Sequence, residues 1–300
     1  MNEILKKEFD YNVLMDGVRL LAEKYDFLRF SYLTESVMGK GIPLLSIGSG
    51  EKFVYYIGTH HGAERITAAV LLKFISEFCG FFEKNTAVFG MNLEYILKTR
   101  TIHIIPMLNP DGADISANGA PKDSLWQTRL ISMNGGDDFT LWQANANGVD
   151  LNHNYDVGFE EYKEIECSLG ISGGCATRYS GEHPESEPET SALCNFIRFN
   201  PPSALITLHT QGEEIYYGGN KSQRRSKILA KKLADLTGYR LANPTGAAAY
   251  GGLTDYCVQK LSIPAFTVEC GKGKNPLPKE NLAGIYLSLR EALFTFPTMI

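Results

Sequence analysis

The feature that most constrains this chain is an alternation of two kinds of apolar pattern. Five short runs, at residues 43–47, 53–57, 102–107, 204–208 and 265–268, are rich in Ile, Val, Phe and Tyr and bounded by Gly, Pro or Asn. Runs of that length and composition read as strands covered on both faces. Around them lie stretches near a helical period, at 12–25, 66–78, 187–199, 221–236 and 252–260. Strands alternating with helices imply an α/β fold with a mixed, mostly parallel sheet, and ligands are expected beyond the carboxyl ends of its strands.

Local signals refine this outline. Gly17 weakens the first helical stretch. Ser186 and Glu189 read as a capping box for the third, and Pro188 in its first turn costs no hydrogen bond. Residues 111–150 carry Gly112, Gly119, Gly135 and Gly136 with few periodic apolar positions, so they read as a long functional excursion. No repeat or linker divides the 300 residues, which read as one domain spanning 1–300 with ample length for a core.

Composition excludes several classes. A formal charge of −5 argues against a nucleic-acid groove or a polybasic membrane surface. No apolar run reaches the length of a membrane-spanning helix. The first 25 residues alternate charged and apolar side chains without a signal-peptide block, so a cytoplasmic protein is expected. The six cysteines are scattered without a CxxC pair, which predicts free, mostly buried thiols; Cys167 and Cys175 share a Gly-rich loop, and a reducing cytosol keeps them apart.

Chemistry-bearing residues follow the strands. After 53–57 come His61 and Glu64, a nitrogen and a carboxylate three apart on a tight turn, suited to one zinc ion. His60 has only Ala63 at that spacing, so it reads as a packing residue. The run 204–208 ends at His209, which with the earlier pair makes the three-ligand set of a catalytic zinc. The run 265–268 delivers Glu269, a carboxylate able to move a proton, with a salt bridge to Lys272 or Lys274 as its structural alternative. Asn109-Pro110-Asp111-Gly112 is a turn signal whose polar side chains fix a loop. Trp126 and Trp142 read equally as packing anchors and as pocket walls, and Tyr216-Tyr217 as the core side of a strand.

His-Gly-Ala-Glu at 61–64, the 109–112 turn, Gly148-Val149-Asp150-Leu151-Asn152, the strand-ending His209 and Pro-Ala-Phe-Thr-Val-Glu at 264–269 together resemble the zinc carboxypeptidase family, in its order and over roughly residues 10–295. The resemblance implies a three-layer α/β/α sandwich with a mixed eight-stranded sheet. It implies one Zn2+ per chain held by His61, Glu64 and His209, with Glu269 as general base and acid. Asp150 would orient His61 through its other ring nitrogen. Asn152 and His153 would face substrate.

Departures bear on specificity. Digestive members carry an arginine after the Asp-x-Asn motif that grips the substrate's terminal carboxylate; here it is His153. The arginine that polarises the scissile carbonyl is replaced by Gln143, still a hydrogen-bond donor to an oxyanion. The family's mobile tyrosine has its nearest counterpart in Tyr250, while its aligned position falls on Ala247. Segments 208–216 and 269–278 are similar to the bacterial γ-D-glutamyl-diamino-acid endopeptidases, which cut the γ-D-glutamyl–meso-diaminopimelate bond of peptidoglycan stem peptides. That branch would take a peptide or muropeptide substrate, with Gln211 and Glu213 near it. Glu213, Glu214, Lys272, Lys274 and Arg178 would supply both signs of charge for its zwitterionic residue. A conventional carboxypeptidase, an aspartoacylase- or desuccinylase-like amidohydrolase, and a zinc-binding recogniser without activity share the same ligand set.

Overall fold

The expected strand runs all become strands, each extended by a residue or more at one or both ends or trimmed at its tail. The computed structural model describes residues 1–122, 124–218 and 221–300. In chain order, α1 (Tyr11–Lys24) leads into β1 (Leu28–Glu35), β2 (Gly41–Gly48) and β3 (Lys52–Gly58). Then come α2 (Ile66–Glu83), α3 (Leu93–Thr99), β4 (Arg100–Ile105), α4 (Pro110–Asn118) and α5 (Leu125–Asn134). After a long coil follow α6 (Phe159–Ser168), α7 (Pro188–Phe199), β5 (Pro202–His209), β6 (Glu214–Tyr216) and α8 (Arg224–Thr237). The chain closes with β7 (Arg240–Leu241), α9 (Leu253–Asp255), β8 (Ala265–Glu269) and α10 (Leu282–Thr295).

The eight strands form one sheet in the order β1-β2-β4-β3-β5-β8-β6-β7. The central pairs β4–β3, β3–β5 and β5–β8 are parallel, as is β6–β7, whereas β1–β2, β2–β4 and β8–β6 are antiparallel. Successive side chains of a strand point to opposite faces. Val54 and Tyr56 of β3 therefore join the core formed with α1, α2, α8 and α10, while Tyr55 and Ile57 join the core under α7 and α9. The result is the α/β/α layering. Burying each such side chain contributes about 1.5–3 kcal/mol, and Tyr56 also satisfies its hydroxyl by donating to the Leu293 carbonyl at 2.7 Å.

Gly17 has a packing reason. A Cβ there would sit 3.2 Å from Leu72 Cδ1 and closer still to Cδ2, so the glycine lets α1 lie against α2.

Three expectations need correction. Ser186 and Glu189 form no capping box: Glu187 is the N-cap of α7 without a side-chain cap bond, and the Ser186 hydroxyl donates to Glu187 instead. Glu189 is drawn inward, where it accepts from Asn145 Nδ2 at 3.2 Å. The stretch 111–150 is not a bare excursion, because α4 and α5 enclose a third small core around the fully buried Trp142, with Trp126 packed at its edge. Beyond α9, residues Tyr256–Lys260 wind as a π-turn and do not continue an α-helix.

Candidate metal centre

The site lies beyond the carboxyl ends of the parallel strands. Where β3 ends, Thr59 takes a left-handed φ of 52°, a conformation that costs a β-branched residue on the order of 1–3 kcal/mol. Its neighbours over-determine it: Thr59 N–H donates to Thr67 Oγ1 at 2.9 Å, and Asn109 N–H donates to the Thr59 carbonyl at 3.0 Å. Asn109 Nδ2 also donates to the His60 carbonyl at 2.9 Å, while Gly62 N–H donates to the Gln143 carbonyl at 2.9 Å. His61 then caps a single helical turn, Gly62–Glu64, which swings Glu64 back beneath the imidazole.

Three polar side chains converge there. His61 Nδ1 is 2.9 Å from Glu64 Oε1, His209 Nδ1 is 3.1 Å from Glu64 Oε2, and the two imidazole nitrogens are 3.4 Å apart. Glu64 and His209 are buried and His61 is nearly so. Among the described residues, Glu64 Oε2 and His209 Nε2 have no hydrogen-bond partner. Two nitrogens facing one buried carboxylate suit a shared cation, and two histidines with one glutamate are a zinc donor set that leaves a coordination position open. Burial opposes ionisation of Glu64, yet His61 and His209 bring its carboxyl down to about 2, so it is an anion.

Asp150 lies behind His61. His61 Nε2 donates to Asp150 Oδ1 at 3.1 Å, which leaves Nδ1 as the lone-pair atom facing Glu64. Asp150 is 2% exposed, and burial opposes its charge, but His61 and the Arg178 N–H (3.0 Å to Oδ2) hold its carboxyl well below the usual range. His60 packs as expected: its ring stacks on His209 and its nitrogens meet Tyr155 Oη at 2.9 Å and Thr207 Oγ1 at 3.2 Å.

Glu269 ends β8 beside His209. Burial pushes its carboxyl up to about 8, and the Glu64 charge adds to that. Its structural alternative fails: Lys272 pairs with Glu213 at 2.5 Å, and among the described residues Lys274 forms no ion pair with Glu269. His61, His209 and Glu269 face a cleft of about 340 Å3 that Gln143, Asn152 and His153 also line. Gln143 Oε1 accepts from Thr177 Oγ1 at 2.5 Å. Asn152 Oδ1 accepts from Leu253 N–H at 3.2 Å. His153 is buried, its ring stacked on Tyr162 at 3.9 Å and its Nδ1 2.8 Å from the Tyr250 carbonyl.

Three expected substrate residues do not join that lining. Tyr250 contributes only its backbone to His153 and packs its ring against Gly158. Gln211 is exposed past the end of β5, and Glu213 is held by Lys272. Glu214 is likewise taken up, by Arg240 and by Tyr216, whose hydroxyl donates to it at 2.7 Å. Tyr216 faces the cleft and not the core, whereas Tyr217 does pack on the main core. The sequence left Thr177, Tyr162 and Asp255 unread; a half-buried carboxyl in the cleft wall, Asp255 is raised to about 6 by desolvation. Only their convergence in space marks them.

Comparisons with known proteins agree with this geometry. The family model described as "Zinc carboxypeptidase" matches residues 15–286. Among curated relatives, gamma-D-glutamyl-L-diamino acid endopeptidase 1 of Lysinibacillus sphaericus is 30% identical, over 97% of this chain and 72% of that protein. Bovine thrombin-activatable fibrinolysis inhibitor superposes with a TM-score of 0.72 at 20% identity, covering 98% of this chain and 97% of that one. Murein-tripeptide amidase MpaA of Escherichia coli O157 gives a TM-score of 0.51 at 20% identity, over 88% of this chain and 90% of that one. These two structures share the fold.

Proposed function

The chain belongs to the zinc carboxypeptidase family and is a zinc metallopeptidase, and on that premise we propose that it hydrolyses the γ-D-glutamyl–meso-diaminopimelate bond of peptidoglycan stem peptides or muropeptides. His61, Glu64 and His209 would hold one zinc ion, whose chemistry is to polarise a carbonyl and make a water a nucleophile near neutral pH. Glu269, half-buried at the cleft edge with a raised carboxyl, takes the proton of the attacking water and passes it to the leaving amide nitrogen. The Gln143 amide donates to the oxygen on which negative charge develops. Asp150 keeps His61 in one tautomer and one orientation throughout.

One observation carries the choice of substrate. A curated relative of 30% identity over nearly the whole chain is named for cutting a γ-D-glutamyl-L-diamino acid bond. The cleft supports it, since the position following Asp150-Leu151-Asn152 is a buried histidine engaged with a backbone carbonyl and a tyrosine face. Asn152 and His153 are read as walls against the substrate. We read the 300 residues as one catalytic domain because a single sheet runs from residue 28 to residue 269. No helix among the described residues is long and apolar enough to cross a membrane. All six cysteines are free and four are buried, which fits a reducing cytoplasm and action on muropeptides there.

Mass spectrometry of the products tests this reading. With purified L-Ala-γ-D-Glu-meso-diaminopimelate, the expected products are L-Ala-D-Glu and free diaminopimelate, lost on chelation and restored by zinc. Release of a C-terminal residue from hippuryl amino acids with the tripeptide left intact would overturn it in favour of a conventional carboxypeptidase.

A further inference from the structure

Among the described residues that line the cleft, Arg178 is the one bearing a full positive charge. It is exposed, and no acidic side chain of the described residues forms an ion pair with it. Glu213 and Glu214, by contrast, are occupied by Lys272 and Arg240 away from the cleft. An arginine left unpaired beside a reaction centre is a ready partner for a planar anion.

Its backbone is held in place to a degree that an idle surface residue does not need. Arg178 has a left-handed φ of 70°. Its N–H donates to Asp150 Oδ2 at 3.0 Å, and its carbonyl accepts from Tyr162 Oη at 2.9 Å. On the following residues, the Tyr179 carbonyl accepts from Asp150 N–H at 2.7 Å, and Ser180 donates twice to the buried Glu166, at 2.8 and 2.7 Å. Asp150 also holds His61 through its other oxygen, at 3.1 Å. One carboxylate thus registers the root of Arg178 against a metal ligand. Tyr162 sets the other coordinate, because its ring lies on His153. His153 itself has one nitrogen committed to the Tyr250 carbonyl.

We propose that Arg178 grips a carboxylate of the substrate in a bidentate pair and so positions the scissile amide over the metal centre. The inference rests on the peptidase reading above, and the ligand class is a peptide with a free carboxylate near the bond to be cut. A γ-D-glutamyl–diamino acid peptide offers two sources, the α-carboxylate of the γ-linked glutamyl unit and that of the diamino acid. Because the contact is present in both ground and transition states, its removal acts on KM more than on kcat.

The test compares wild type with R178Q and R178K on L-Ala-γ-D-Glu-meso-diaminopimelate and on its two singly amidated forms, one at the glutamyl carboxylate and one at the diamino acid. R178Q should raise KM for the parent peptide about 10- to 100-fold and change kcat by less than about threefold, as expected for losing charge-assisted hydrogen bonds. R178K should fall between. The amide form that removes the gripped carboxylate should be equally poor for wild type and R178Q, and the other should keep the full difference, which identifies the source. An unchanged KM, or an equal loss on all three peptides, overturns the proposal. So does a fall in zinc content or thermal midpoint that accounts for the loss. If wild type leaves the tripeptide uncut, the substrate reading fails separately, and the acid-versus-amide contrast on a hippuryl amino acid then decides the role of Arg178.

Discussion

His209 and Glu269 face each other across the parallel strands β5 and β8, each as the last residue of its strand. Neighbouring strands run about 4.8 Å apart, so the backbone ladder itself sets the spacing between His209 and Glu269, the proposed metal ligand and proton carrier. Cys270 N–H donating to the His209 carbonyl at 2.8 Å carries that pairing one step past the strand ends. Rigid elements hold a site more tightly than loops do. The turn bearing His61 and Glu64 is the less regular part, and it is tied down by Asn109, Thr67 and the Gln143 carbonyl.

Because Glu269 stands outside the converging group of His61, Glu64 and His209, its proposed role is separable from metal binding. Glu269→Gln should retain one zinc per chain and lower kcat by at least about a hundredfold, the usual range for a lost general base. Steady-state rates measured beside metal content check this. Full turnover by the glutamine variant would remove Glu269 from proton transfer.

In the proposed site Asp150 acts through His61 and not on the substrate. Asp150→Asn should weaken zinc affinity by about 10- to 100-fold, as removal of a carboxylate behind a ligating imidazole does. Competition with a fluorescent chelator gives the constant. An affinity equal to wild type would show that His61 needs no such support.

Gly62 tolerates no side chain. A Cβ there would collide with the Gly112 carbonyl and lie 2.8 Å from the Trp142 carbonyl, all backbone atoms that cannot rotate away. Gly62→Ala should therefore push the ligand turn away from α4 and cost about 1–3 kcal/mol, as overpacking does. Denaturant midpoints and zinc content should both fall. A variant with unchanged values would mean that the turn has slack the packing does not suggest.

Glu189 makes stability depend on pH away from the site. Burial pushes its carboxyl up to about 8 from an ordinary 4.5, with Asp111 adding to the effect. Between those values the folded chain keeps a proton that the unfolded chain has released, so stability falls as pH rises, by up to about 1.4 kcal/mol per unit. Glu189→Gln should flatten that slope between pH 5 and 8 in thermal unfolding. Identical slopes for the two proteins would contradict it.

The sequence disclosed the parts of the fold whose signals are local. The strands β2, β3, β4, β5 and β8 are buried on both faces and read as continuous apolar runs. The edge strand β1 escaped because Arg29, Ser31 and Tyr32 are exposed and break the run. The two residues of β7 and the three of β6 are too short to carry a pattern. The buried residues of α10, from Leu282 through Ile285, Tyr286 and Leu289 to Leu293, do share one stripe, but the exposed Leu287 on the opposite face blurs it in the sequence. At the site, the spacing of His61 and Glu64 was visible, but their meeting with His209 depends on β3 and β5 being neighbours, a relation across 148 residues. The ties of Thr177, Tyr162 and Arg178 to Asp150, His153 and Gln143 are of the same long-range kind and left no trace in spacing.

Zinc stoichiometry by atomic absorption, taken on the wild type and on His61→Ala, Glu64→Gln and His209→Ala with fold checked by circular dichroism, tests the centre of the account. One equivalent in the wild type and substoichiometric metal in each folded variant is the predicted result. A full equivalent retained by folded His209→Ala would contradict it.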